Sequence, residues 1–163
     1  MNTFPICDFT KESDLSNWMV VDDVVMGGRS DGNFYINSDG HGVFEGAVSL
    51  ENNGGFSSIR CRFEQTNVEN FSKIVIRLKG DGKKYQVRVK TDAEDYYSYI
   101  TYISTTEDWE TIEVSLDEMY PSFRGRKLNE PNFPGKQMEE FAFLIGNKKA
   151  ESFKLMIDKI ELK

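Results

Sequence analysis

No stretch of twelve or more residues in this chain sustains apolar side chains at helical spacing, whereas many short runs alternate apolar and polar residues one for one. Ile74, Ile76 and Leu78 alternate with Lys73, Val75 and Arg77. Tyr85, Val87 and Val89 alternate with Gln86, Arg88 and Lys90, and Ile112, Val114 and Leu116 alternate with Glu113 and Ser115. A period of two sends successive side chains to opposite faces, which describes antiparallel strands with one face buried. The same logic predicts strands over Phe4–Thr10, Trp18–Val25, Asn33–Asn37, Val43–Leu50, Phe56–Phe63 and Tyr97–Ser104. Phe141–Ile145 is apolar on both faces and reads as a central strand. In Phe153–Leu162 the phase slips at Asp158-Lys159, which predicts a β-bulge. Asp39-Gly40 and Asp81-Gly82 are hairpin signals. About ten short strands broken by Gly, Asn and Asp turns predict an all-β, jelly-roll-like antiparallel β-sandwich, one domain over residues 1–163. Its expected core is Ile59, Ile74, Ile76, Leu78, Val87, Val89, Ile112, Val114, Phe143, Leu155 and Ile157. Pro121–Lys136 reads as one long irregular stretch, and Asp8–Leu15 as room for a single helical turn.

Two glycine pairs punctuate the first third of the chain. Asp22-Asp23 precedes Gly27-Gly28, and Asn52-Asn53 precedes Gly54-Gly55, with Arg29 and Arg60 following. Glycine pairs supply backbone angles closed to other residues and let another group approach closely. The plainer reading is a pair of tight β-turns. Adjacent strand aspartates point to opposite faces, so Asp22 and Asp23 do not form a catalytic pair. One of them is expected to accept N–H bonds from the Gly27-Gly28 corner, and Gly54 or Gly55 to have a positive φ.

Arg60, Arg62, Gln86 and Arg88 fall on the polar faces of their strands. If those strands share a sheet, the guanidiniums form an anion- or partner-binding patch. The plainer reading is a solvated face with weak local ion pairs. Tyr96, Tyr97, Tyr99, Tyr102 and Trp109 form an aromatic-rich centre that suits a stacking sugar or simple packing. The lone His41 has no neighbouring nucleophile motif, and no phosphate-loop, zinc-helix or dinucleotide fingerprint occurs. Asp and Asn turns offer calcium hard oxygens, yet no string fits an EF-hand, so neither metal nor cofactor is expected. Cys7 and Cys61 read as reduced, inert thiols; a disulfide requires the two strands to lie side by side.

A net charge of −7 argues against non-specific nucleic-acid binding and against docking on anionic lipid, and no segment is apolar enough to insert in a membrane. The first residues, Met1-Asn2-Thr3-Phe4-Pro5-Ile6-Cys7-Asp8, show neither a basic n-region nor an apolar run, so a cytoplasmic location is expected.

Val21-Asp22-Asp23-Val24-Val25-Met26-Gly27-Gly28-Arg29-Ser30 and Glu51-Asn52-Asn53-Gly54-Gly55-Phe56-Ser57-Ser58-Ile59-Arg60 resemble the signature of the complex I intermediate-associated protein family. Gly80-Asp81-Gly82 with Tyr85, the Trp109 strand and Pro121-Ser122-Phe123-Arg124-Gly125-Arg126 extend the resemblance from about Trp18 to Leu162. It implies a galactose-binding-like domain and a non-enzymatic, chaperone-like assembly factor. The implied partner is a protein, such as a respiratory-complex subunit or assembly intermediate. A carbohydrate-binding module is the alternative, and a hydrolase or lyase on the same scaffold comes third.

Overall fold

The computed structural model describes residues 3–23, 28–51 and 55–163. In chain order the strands are β1 (Phe4–Asp8), β2 (Trp18–Asp22), β3 (Asp31–Ile36), β4 (Gly42–Val48) and β5 (Ser57–Asn67). They continue with β6 (Lys73–Lys79), β7 (Lys84–Lys90), β8 (Ser98–Ser104) and β9 (Trp109–Ser115). The last four are β10 (Tyr120–Phe123), β11 (Arg126–Lys127), β12 (Gln137–Ile145) and β13 (Glu151–Leu162). They pair antiparallel in two sheets. One has six strands, ordered β3-β4-β13-β6-β9 with β1 also on β13; the other has seven, ordered β11-β10-β8-β7-β12-β5-β2.

The alternating apolar residues decide which faces meet. Phe44, Ile74, Ile76, Leu78, Leu155 and Ile157 from the first sheet join Ile59, Val87, Val89, Phe141 and Phe143 from the second in one buried cluster. The result is an all-β, jelly-roll-like sandwich, with its polar alternates turned outward. Every expected core residue lies in or against this cluster. Ile112 is only half-buried, because β9 is the edge strand of its sheet. The slip at Asp158 is real: the β13–β6 register shifts between Ile157 and Lys159.

Two expectations need correction. Asp81-Gly82 is not a hairpin, because β6 and β7 belong to different sheets. Gly82 has the left-handed φ of +80°, but Asp81 takes the turn elsewhere. Its carboxylate accepts from the Lys83 N–H, the buried Tyr85 hydroxyl and the Lys154 N–H of β13, so the turn crosses between layers. Pro121–Lys136 is not irregular throughout. Pro121 lies within β10, and Arg124 (φ +50°) and Gly125 (φ +80°) make the tight turn to β11. Asp8–Leu15 holds a hydrogen-bonded turn from Thr10 to Ser13. A 3-10 turn also lies at Leu116–Glu118.

Ile76 is fully buried and faces Ile160 on one neighbour and Ile112 on the other. Ile76→Ala should cost about 2–5 kcal/mol in a denaturant melt, and a change below about 0.5 kcal/mol would contradict its position.

Candidate functional site

The two glycine motifs meet through the Asp22-Asp23 pair. The Asp23 carboxylate is 1% exposed and accepts from the Ser30 N–H (2.9 Å), the Ser30 hydroxyl (2.5 Å), the Gly55 N–H (2.6 Å) and the Phe56 N–H (3.3 Å). Asp22 accepts from the Gly32 N–H (2.9 Å) and the Ser57 hydroxyl. Gly28 donates to the backbone carbonyl of Asp23, not to a carboxylate (2.8 Å). The expected carboxylate bonds therefore exist with different donors: Ser30, just past the first glycine pair, and Gly55 and Phe56 of the second motif, more than thirty residues away. A Cβ on Gly28 would sit 2.4 Å from the Asp23 carboxylate, so close approach is what glycine allows there. Gly55 has φ +150°, in the region expected of the second pair. Gly27, Asn52, Asn53 and Gly54 lie outside the described residues.

β5, β12 and β7 are neighbours, so Arg60, Arg62, Gln86 and Arg88 come together on the outer face of the seven-stranded sheet. One row of register partners reads Met19, Arg60, Ala142, Arg88, Ile100 and Tyr120. The next reads Val21, Ser58, Leu144, Gln86 and Tyr102, and a third holds Arg62, Glu140 and Lys90. Ala142, Leu144 and Ile100 are buried yet lie outside the inter-sheet core, so they form the floor of this face. Its polar groups are not freely solvated, as the plainer reading would have it. Gln86 is 8% exposed, Lys90 9% and Glu140 1%.

Hydrogen bonds order the face. Arg62 Nε donates to Glu140 at 3.0 Å. Arg88 Nη1 donates to the Gln86 carbonyl oxygen at 2.6 Å, and Gln86 Nε2 donates to the Tyr102 hydroxyl at 3.3 Å. Lys90 Nζ donates to the Asp95 carbonyl at 2.8 Å. Burial, then the nearby Arg60, pushes Arg88 down to about 10. Burial also lowers Arg60, with Glu140 opposing and Arg62 adding to the shift. Lys90 is lowered by burial against the pull of Glu140, with the three arginines adding to it. Glu140 thus faces four cations that repel one another.

The other candidates, Tyr102 excepted, lie apart from this face. Tyr99 belongs to the core, and Tyr96 and Tyr97 pack edge to face with Phe123 nearby. Tyr102 is 46% exposed with Lys84 over its ring. His41 stacks on Trp109 at 4.5 Å, with Nε2 3.7 Å from Asp158, a carboxylate also approached by Arg77. Cys7 and Cys61 are free and belong to opposite sheets, although both line one small cleft beside Trp18. Burial raises both thiols, Cys61 to about 11, so neither is an activated nucleophile at neutral pH. Among the described residues no cluster of His, Cys, Asp and Glu could hold a metal ion, and no helix is long and apolar enough to cross a membrane.

Lys90, Glu140, Tyr102 and Tyr120 were missed as members of this face. Lys90 could have been found by carrying the Gln86, Arg88 alternation one step further. Glu140 could not, because the expected strand began at Phe141 whereas β12 begins at Gln137.

The family whose model matches this chain, over residues 7–157, is described as Complex I intermediate-associated protein 30 (CIA30). A curated relative, the mouse (Mus musculus) Complex I intermediate-associated protein 30, mitochondrial, is 22% identical over 143 residues, covering 74% of this chain and 44% of the relative. The chain thus spans less than half the length of that relative. Among solved structures, a family 11 carbohydrate-binding module from Clostridium thermocellum, in complex with a β-1,3-1,4-mixed-linked tetrasaccharide, is 16% identical with a TM-score of 0.71, over 98% of this chain and 94% of that one. A family 29 carbohydrate-binding module gives 9% and 0.59, over 99% and 87%. At these identities the likeness establishes the shared fold.

Asp23→Ala should cost about 2–4 kcal/mol, since it strands buried donors around an empty site. Burial alone would raise this carboxyl, but the bonds from Ser30, Gly55 and Phe56 outweigh it and hold it below the ordinary value. The native state therefore binds this proton less readily than the unfolded chain. Its contribution is whole above the unfolded value of about 4 and is lost as pH falls through the lower native value. Thermal melts from pH 7 to about 2.5 should show the gap between wild type and Asp23→Ala closing on acidification. A constant gap would refute the assignment.

Proposed function

The chain belongs to the Complex I intermediate-associated protein 30 family, and we propose that it works as a one-domain, non-enzymatic binding or assembly module whose outer seven-stranded face takes a protein partner. The observation that carries this reading is the row Arg60, Ala142, Arg88, which gathers half-buried guanidiniums on one ordered sheet face. Arg is favoured as an interface anchor, because its planar fork gives directional bonds at modest entropic cost. The relative's name suggests a client among respiratory-complex subunits or assembly intermediates.

A carbohydrate-binding module is the second reading. It draws on the likeness to carbohydrate-binding modules and on the exposed ring of Tyr102 beside Tyr120. A hydrolase or lyase reading has less support. His41 and Asp158 are its only carboxylate–imidazole pair among the described residues, and Arg77 shares that carboxylate.

Arg60→Ala separates these readings. Its melt should stay within about 0.5 kcal/mol of wild type, since Arg60 has no hydrogen bond or ion pair among the described residues. Capture from extract of the source cells, read by mass spectrometry, should lose a defined protein that the wild type retains. Unchanged capture, or an unfolded variant, counts against the reading. Mixed-linked oligosaccharide binding that Tyr102→Ala abolishes would favour the carbohydrate module.

A further inference from the structure

We propose that the cationic strip formed by Arg60 and Arg88, on either side of Ala142, takes the side-chain carboxylates of an acidic segment of a partner protein; this rests on the protein-partner reading. Four cations, Arg60, Arg62, Arg88 and Lys90, surround the single carboxylate of Glu140. Three positive charges are therefore uncompensated on one face of a chain whose net charge is −7. On the other sheet Lys73 meets Glu113 singly, and Glu161 lies between Lys159 and Lys163, so no other carboxylate among the described ion pairs faces more than two cations.

The unspent donors sit in the middle row. Arg62 is committed to Glu140, and Lys90 to a backbone carbonyl. Arg88 meets only the neutral Gln86 amide, which Tyr102 in turn holds. Arg60 has no hydrogen bond or ion pair among the described residues. Between them on β12 lies Ala142, a buried residue with no side-chain group to pair with either guanidinium. Arg60 and Arg88 are two strand spacings apart, about 10 Å, a separation that two long guanidinium side chains can close on one carboxylate between them. Such a ligand would relieve the mutual repulsion of half-buried cations and would pay little ordering entropy on the protein side. The overall negative charge opposes a long polyanion such as nucleic acid but is compatible with a short acidic segment.

The test is titration of the full chain with synthetic hexaglutamate at low salt, followed by calorimetry. Saturable binding is expected, weakened about tenfold by Arg60→Gln and similarly by raising salt toward about 0.5 M. Lys73→Gln, which makes the same charge change on the other sheet, should leave it unaltered. Hexalysine and cellohexaose should not bind. Melts of both variants check that they remain folded. The proposal is overturned by absent hexaglutamate binding, by equal binding to Arg60→Gln, or by equal loss in both variants, which would report net charge alone. Inorganic phosphate binding more tightly than hexaglutamate at Arg60 also overturns it, in favour of a small-oxyanion site. If a captured partner depends on Arg60 but hexaglutamate does not displace it, the acidic-segment inference fails while the protein-partner reading stands. If only cellohexaose or a mixed-linked oligosaccharide binds, both fail.

Discussion

The corner where β2 ends and β5 begins is held by one buried carboxylate, beyond the backbone ladder that pairs the two strands. Asp23 draws in donors from Ser30, seven residues on, and from the consecutive Gly55 and Phe56, more than thirty residues away. A buried charge is costly unless its oxygens are filled, and here they are filled by rigid backbone N–H groups and one hydroxyl. Asp22 repeats the device toward Gly32 and Ser57. Together they set where β3 leaves and β5 begins, and β5 carries Arg60 and Arg62. The glycine motifs therefore act on the candidate face indirectly, by fixing the strand from which its cations project.

That face follows from register more than from composition. A chain with this charge has no basic region in sequence. It acquires one only because β7, β12 and β5 lie side by side, so that alternate residues from three separated stretches converge. A slip of one residue in β5 or β7 would send its arginines into the core, where Ile59, Val87 and Phe143 sit, so the buried face holds the functional face in phase.

The layer structure was readable from period-two alternation, and so was the bulge at Asp158, because a phase slip is a local property of the string. Neighbours were not readable. Asp81-Gly82 looked like a hairpin since the dipeptide allows one, and only the bond from Lys154 to Asp81 directs the chain to the opposite sheet. β10 escaped notice because Pro121 and Ser122 break the apolar pattern of a strand that pairs beside Tyr99. At the site, the side of the strand occupied by Arg60, Arg62 and Arg88 was legible. Their shared carboxylate was not, since Glu140 preceded the apolar run that marked β12. Long-range pairing order is information that a periodicity argument does not contain.

The position of β13 has a consequence for biosynthesis. It is the strand against which β1, β4 and β6 all pair, and it comes last of the thirteen. A ribosome making this chain would expose β1, β3–β4 and β6 long before the strand that unites them emerges. Until then the six-stranded layer lacks its centre, and apolar edges wait for a partner from the same chain. Closure of this layer thus waits on β13, and the interval before it is when the chain is most exposed to edge-to-edge association.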